Sequence, residues 1–358
     1  MLSKGIGPIV PAVIPATATP AELVTVARPE RASADDAVLD VLEPSALAAV
    51  RAAALACGEL AGRGDADAAD AAATDAMRAS LATARGMGTV VIGEGEKDAA
   101  PMLFNGERLG RMSAPAFDIA VDPLECTSLC AQGLAGALTT IAFAPAGALW
   151  SPGPALYMAK LVVSGAARDA IDLREEPEVN LVRVARALGR RVDELRVMVL
   201  DKPRHRELIE RVRTAGARVQ TPSAGDVAGA VLAALPGGPV DLLMGVGGTP
   251  EGLLAACAAG ALKGGMQARL APQGAEEAAR VHAAGFDVSR VLSTEDLVTG
   301  RALFAATGVT GGDLLHAPRT ADGSTFTESI LIRSGRVRWI VEASPHVPAA
   351  PGARMSGP

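Results

Sequence analysis

Two stretches decide how this chain is read: Thr89-Val90-Val91-Ile92-Gly93-Glu94-Gly95-Glu96-Lys97-Asp98 and, further along, Phe117-Asp118-Ile119-Ala120-Val121-Asp122-Pro123-Leu124-Glu125-Cys126-Thr127. Each is a hydrophobic run of β type that delivers carboxylates at its end. Open α/β sheets place their ligands beyond the carboxyl ends of strands. Glu94, Asp122 and Glu125 are therefore candidates for one oxygen-rich cluster. Such a donor set suits a hard divalent cation, Mg²⁺ or Mn²⁺, better than zinc. One acidic turn alone would read as a solvated loop. Two acidic strand ends, one of them Asp-Pro-x-Glu-x-Thr, point to a shared site.

The run Gly93-Glu94-Gly95-Glu96-Lys97-Asp98-Ala99-Ala100-Pro101-Met102-Leu103, followed by Asp122-Pro123-Leu124-Glu125-Cys126-Thr127, resembles the class II fructose-1,6-bisphosphatase family. That family belongs to the lithium-sensitive, metal-dependent sugar phosphatases, with inositol monophosphatase as a distant relative. The resemblance runs from about Val41 to Ala343, with several motifs in the right order. It implies a layered α-β-α-β-α sugar-phosphatase fold with the site between two subdomains. The expected division is a flexible Pro/Ala-rich extension (1–35), an N-terminal metal-binding subdomain (36–175), a C-terminal substrate-binding α/β subdomain (176–344) and a disordered tail (345–358).

Composition agrees with this class. The chain has 358 residues, 49% hydrophobic but only 3% aromatic, so its core must be built from Ala, Val and Leu. A net charge of −6 gives no surface for a polyanion, which argues against nucleic acid. No uninterrupted apolar run reaches membrane-spanning length. Cys57, Cys126, Cys130 and Cys257 lack metal-type spacing and read as free thiols of a reducing cytoplasm. Prolines in Gly7-Pro8-Ile9-Val10-Pro11-Ala12-Val13-Ile14-Pro15 exclude a helix at the N-terminus.

Along the chain, Val41–Leu60 is helical, with Leu42, Ala46, Ala49, Ala53 and Leu55 on one side, and Gly62-Arg63-Gly64-Asp65 breaks it. A second helix covers 67–81, with Asp70 placed near its first turn, where the helix dipole favours a carboxylate. Strands are expected at 137–144 and 156–163, then a helix at 180–188, a strand at 195–200 and a helix at 204–214. Lys202-Pro203-Arg204-His205 falls at the strand-to-helix turn, where backbone N–H groups and two cations can converge on phosphate. His205 reads as structural. A strand from Arg218 and a helix from Pro222-Ser223-Ala224-Gly225-Asp226 to Leu235 follow. A strand at 240–244 then leads into Gly245-Val246-Gly247-Gly248-Thr249-Pro250-Glu251-Gly252, read as a glycine-rich turn opening a helix to Leu262. This is not a dinucleotide fingerprint, since spacing and the downstream acid are both wrong. Its glycines are expected to let backbone approach a ligand. A helix at 273–284 and a hairpin of strands 328–333 and 336–343 around Ser334-Gly335 complete the reading.

The resemblance also implies roles. Asp70 and Glu94 fall to one metal region, and Asp122, Glu125 and Glu251 to another, with the Leu124 carbonyl assisting. Thr127 orients the attacking water, and Glu96 and Asp98 are general acid/base candidates. Substrate is contacted by Glu125, Cys126, Thr127, Tyr157, Lys202, Arg204, Asp226 and Gly248. The implied activity is hydrolysis of fructose 1,6-bisphosphate or a related sugar phosphate, with Mg²⁺ or Mn²⁺ as cofactor. Expected partners are the sugar phosphate and further copies of the chain (dimer or tetramer). The family's polar residues are replaced by Ala66, Ala99, Gly136, Ala155 and Ala224, and a glycine is replaced by Cys126. These departures keep a non-catalytic paralogue, and an inositol or nucleotide monophosphatase, as alternatives.

Overall fold

The computed structural model describes residues 34–93 and 102–345. Helices α1 (Ala34–Gly58) and α2 (Ala66–Leu81) come first, then strands β1 (Met87–Ile92), β2 (Arg108–Leu109) and β3 (Ala116–Glu125). After a short helix α3 (Thr127–Gln132) come β4 (Leu138–Pro145) and β5 (Tyr157–Val163). Then follow α4 (Pro177–Ala187), β6 (Arg196–Met198), α5 (Arg206–Thr214), β7 (Arg218–Gln220), α6 (Asp226–Ala234), β8 (Leu242–Gly248) and α7 (Thr249–Ala261). The rest comprises β9 (Gly265–Leu270), α8 (Ala275–Ala283), β10 (Leu292–Ser293), α9 (Thr294–Leu297), β11 (Leu303–Gly308), β12 (Arg319–Ala321), β13 (Ser324–Arg333) and β14 (Arg336–Pro345).

The strands form two mixed sheets. The first has the order β12-β13-β11-β4-β3-β1-β2, with β14 added along β13; the second has the order β10-β9-β5-β8-β6-β7. Three cores separate the layers. Leu42, Ala46, Ala49 and Ala53 of α1 pack with Met77 of α2 on the outer face of the first sheet. Buried α6 and α7 fill the space between the sheets, against Ala120, Phe304 and Ile330 of the first and Met158 and Val162 of the second. Leu181 and Val184 of α4 and Ile209 and Val212 of α5 cover the far face of the second sheet. The α-β-α-β-α order expected above is thus observed. The middle layer explains the alanine-rich composition. A helix apolar all round must be covered on every side, and α7 buries Leu253 to Ala259 without a break.

Several local readings change. The helix break at Gly62 and Gly64 is a pair of left-handed positions, φ +73° and +80°. The helix-start acid of α2 is Asp65, whose carboxylate accepts from Ala68 N–H at 2.9 Å; Asp70 lies a turn further in. Leu55 is only half-buried, and Leu39, Val50 and Cys57 carry that face instead. The stretch Gly245–Gly248 is not a turn. It continues β8 in register with β5, Lys160 opposite Gly245 and Tyr157 opposite Gly248. A boundary at residues 175–176 does not separate the sheets, because β5 belongs to the second and β11 to β14 return to the first. The expected extension and tail lie outside the described residues, apart from Ala34 and Asp35 in α1 and Pro345 in β14.

Leu253, fully buried in α7, touches the core shared by both sheets. Leu253→Ala is expected to cost about 2–5 kcal/mol in chemical denaturation. A loss below about 1 kcal/mol would show that the middle layer does not couple the sheets.

Candidate active site and metal centre

Asp122 and Glu125 are three positions apart, so an unbroken strand would aim them at opposite faces. Their register with β4 shows why they meet. Asp122 pairs with Thr140 but Glu125 with Leu138, which inserts one extra residue into β3. This bulge turns Glu125 to the face that carries Asp122 and leaves Leu124 in the outer core. Pro123 sits inside the bulge, where a strand tolerates a missing N–H.

Opposite that strand end, Glu251 lies in the first turn of α7. Carboxylate oxygens of Asp122, Glu125 and Glu251 all fall within 4.8 Å of one another. The donors are oxygens only, in a site where Glu125 is 4% exposed. Burial, reinforced by Asp226 and Glu251, pushes the Glu125 carboxyl up to about 8, against a hydrogen bond with Asp122 and the charge of Lys160. Acids this close, one buried and two half-buried, repel unless a proton or a cation intervenes. Such a donor set fits Mg²⁺ or Mn²⁺.

Glycines make room for this packing. A Cβ on Gly248 would lie 2.0 Å from Glu251 Oε2, and one on Gly247 would lie 2.0 Å from Asp226 Oδ2. The close approach these glycines allow is therefore to the site's own carboxylates. Asp226 heads α6, and its carboxylate takes a 2.5 Å hydrogen bond from Lys160 Nζ, which lies 3.3 Å from the Gly248 carbonyl. Lys160 is 2% exposed. Sequence reasoning missed it, although a lysine between Met158 and Val162, on the inward face of an alternating strand, is the visible signal. Asp226, expected at the substrate, is engaged by this internal cation. The N-terminal ends of α6 and α7 both favour negative charge, which further suits Asp226 and Glu251.

The phosphate-side residues form a second group. Arg204 Nε and Nη2 donate to the Val246 carbonyl at 3.1 and 2.8 Å, and the guanidinium carbon stands 5.4 Å from the centre of the Tyr157 ring. His205 is structural, as expected. Val246 N–H donates to its Nε2, so Nδ1 carries the proton and donates to the Leu200 carbonyl, each at 2.8 Å. Burial lowers its pKa and keeps it neutral. Lys202 is half-buried and precedes this turn. Thr127 donates its hydroxyl proton to the Leu124 carbonyl at 2.9 Å, which leaves its lone pairs to accept.

Not all expected residues converge. Asp70 is half-buried on α2 and is not one of the three clustered acids. Glu94, Glu96, Asp98 and the replacement Ala99 lie outside the described residues. Of the other replacements, Ala155 is buried and its carbonyl accepts from Thr249 at 2.6 Å; Gly136 has φ +120°.

Cys126 is the most constrained departure. Its φ of +67° and ψ of +46° place a non-glycine residue in the left-handed region at the start of α3. Its thiol donates to Glu125, and burial with the neighbouring acids raises its pKa, so it is a neutral thiol here.

Five layers with an all-oxygen acidic site beside two helix N-termini define a sugar-phosphatase type of α/β protein. A family model described as "Bacterial fructose-1,6-bisphosphatase, glpX-encoded" matches residues 41–344. The chain is 45% identical over 303 residues to "Fructose-1,6-bisphosphatase class 2" of Haemophilus influenzae, covering 81% of this chain and 90% of that protein. It is 44% identical over 294 residues to "Fructose-1,6-bisphosphatase 2 class 2" of Escherichia coli K12 (78% and 91% covered). The corresponding "1 class 2" protein of the same organism gives 41% over 302 residues (80% and 89%). The chain belongs to the bacterial class 2 fructose-1,6-bisphosphatase family.

Two predictions follow from the site's packing. Cys126→Gly and Cys126→Ala both remove the thiol, but only alanine keeps a Cβ at positive φ. The glycine variant is expected to be the more stable by about 1 kcal/mol; equal melting would show that no strain resides there. Lys160→Met leaves Asp226 buried without its cation and is expected to cost about 3–5 kcal/mol, most of it recovered in Lys160→Met/Asp226→Leu. A single variant as stable as wild type would remove the pair from this account.

Proposed function

We propose that this protein hydrolyses a phosphate ester of a sugar bisphosphate, with fructose 1,6-bisphosphate the first candidate. The reading is carried by one observation, the three carboxylates within 4.8 Å at the end of β3 and the start of α7. Family membership supports it independently. Asp122, Glu125 and Glu251 would hold Mg²⁺ or Mn²⁺, with Asp70 and Glu94 as a second metal region. A cation held there would supply a nucleophilic water at neutral pH and offset charge on the leaving oxygen.

The chain's own residues do the rest. Thr127, having committed its proton to the Leu124 carbonyl, accepts from the attacking water and fixes its orientation. Arg204 is braced on the Val246 carbonyl and the Tyr157 ring, and presents the remaining guanidinium N–H groups to a substrate phosphate. Lys202 adds a second positive charge, while Gly248 and Cys126 border the ester. Asp226 acts on substrate through its hold on Lys160, whose Nζ also reaches the Gly248 carbonyl. Glu96 and Asp98 exchange protons with the leaving group or the water. Cytoplasmic residence fits the free thiols, and among the described residues no helix is long and apolar enough to cross a membrane.

The test is phosphate release from a panel of sugar mono- and bisphosphates with Mg²⁺ or Mn²⁺. Release from a bisphosphate is expected only with metal. Asp122→Ala should abolish both turnover and the metal-induced rise in melting temperature. Arg204→Ala should raise KM at least tenfold with little change in kcat. Turnover in excess chelator, or an active Asp122→Ala, would overturn the proposal. Metal binding without turnover of any ester would favour the non-catalytic reading.

A further inference from the structure

Glu277, in the first turn of α8, is a charged residue with only 5% of its surface exposed. Its Oε2 accepts from the Gln273 N–H at 2.9 Å, which caps the start of its own helix. Oε1 leaves the helix. It accepts from two further backbone N–H groups, Leu156 at 2.7 Å and Tyr157 at 3.1 Å. A carboxylate can take all three, because both its oxygens accept and neither donates. One helical turn on, Val281 packs with Ala155 and Leu270, so this face of α8 lies on the segment that enters β5. A cap alone needs no buried charge, since an exposed side chain at the Gly274 N-cap position could supply it.

The main chain of that segment is accounted for group by group. The Ala155 carbonyl accepts from the Thr249 hydroxyl at 2.6 Å, and the Leu156 carbonyl from the Thr249 N–H at 3.0 Å. The Tyr157 carbonyl accepts from the Ala271 N–H at 3.0 Å. The carbonyl side is thus fixed by the start of α7 and the residue after β9, and the N–H side by Glu277. The Tyr157 ring in turn stands 5.4 Å from the guanidinium carbon of Arg204. Arg204 is exposed, and its only other brace among the described residues is the Val246 carbonyl.

We propose that Glu277 is a positioning residue of the substrate side: it sets the backbone of Leu156 and Tyr157, and so the ring against which Arg204 is braced. Its effect on substrate rests on Arg204 being the phosphate cation, as proposed above. Glu277 touches neither substrate nor metal in this role. Without its carboxylate the Leu156 and Tyr157 N–H groups lose their acceptor and must turn to find water. Tyr157 is the first residue of β5, where the strand is free to fray, so that turn carries the ring off Arg204. The guanidinium then keeps the Val246 carbonyl but loses the face that fixes its plane. A bidentate contact with phosphate depends on that plane.

Tyr157 is the only tyrosine of the chain, so the full-length protein labelled with 3-fluorotyrosine gives a single ¹⁹F resonance that reports on this ring. Arg204→Ala should move that resonance in the wild-type background. Glu277→Ala should move it as well, and Arg204→Ala should then add no further shift. Glu277→Gln can keep its amide oxygen on Leu156 and Tyr157 and should return the resonance close to wild type. Should Glu277→Ala fail to fold, Glu277→Asp keeps the charge but is one methylene too short, and should move the resonance in the same way. With fructose 1,6-bisphosphate and Mg²⁺, Glu277→Ala should raise KM about threefold to tenfold with kcat within about twofold, and should add nothing in an Arg204→Ala background. A wild-type resonance in folded Glu277→Ala or Glu277→Asp would overturn the proposal. So would a rise in KM that persists in full beside Arg204→Ala, which is what a merely structural role would give. A moved resonance together with a wild-type KM in Arg204→Ala would uphold the placing of Tyr157 by Glu277 and overturn the phosphate role of Arg204 instead.

Discussion

Negative charge held at close quarters away from water is the constraint this structure is built around. Asp122, Glu125 and Glu251 stand within 4.8 Å of one another, and Asp226 raises the Glu125 carboxyl further. Three acids in one small volume are unfavourable in an apoprotein and favourable only around a cation. The surrounding fold must therefore force them together and partly compensate them. Each unusual local feature of the middle layers serves one of those two ends. The β3 bulge turns Glu125 inward, Gly247 and Gly248 make room for carboxylates, two helix N-termini face them, and Lys160 answers Asp226.

The compensation is incomplete. Lys160 is spent on Asp226 and the Gly248 carbonyl. Glu125 is left with a pKa near 8, so it holds a proton over much of the neutral range. The linkage sign follows. The folded pKa lies above the ordinary value of 4.5, so the native apoprotein binds more protons than the unfolded chain across that interval. Stability from this group is present at low pH and is lost as pH rises toward 8. Buried neutral His205 acts in the opposite sense, being lost when acid forces it to charge. A cation at the acids reverses the first effect without touching the second.

The layered fold was legible because most of its elements carry strong local signals. The β1 and β3 runs, the one-sided apolar face of α1 and the Ser334-Gly335 hairpin all show in the sequence. What escaped were strands whose residues have weak β propensity. Leu303-Phe304-Ala305-Ala306-Thr307-Gly308 becomes β11, yet alanine and glycine give it little character of its own. Gly245–Gly248 read as a turn because glycine usually marks one, whereas here small size is needed so that Glu251 and Asp226 can lie against the strand. At the site, Asp122, Glu125 and Glu251 were found through motif and family likeness. Lys160 was passed over because its role depends on β5 facing α6 across a layer that no local pattern reveals. The strain at Cys126 was foreseeable only as a condition on φ, which the structure supplies as +67°.

The most direct test of the central claim is the proton count on metal binding. Mg²⁺ or Mn²⁺ titrated calorimetrically into the protein at pH 7, in two buffers of different ionisation enthalpy, reports how many protons leave as the cation enters. If Glu125 is protonated in the apoprotein and becomes a ligand, binding releases close to one proton, and the release disappears in Glu125→Gln. Metal binding with no proton release, or with the same release in Glu125→Gln, would contradict the account.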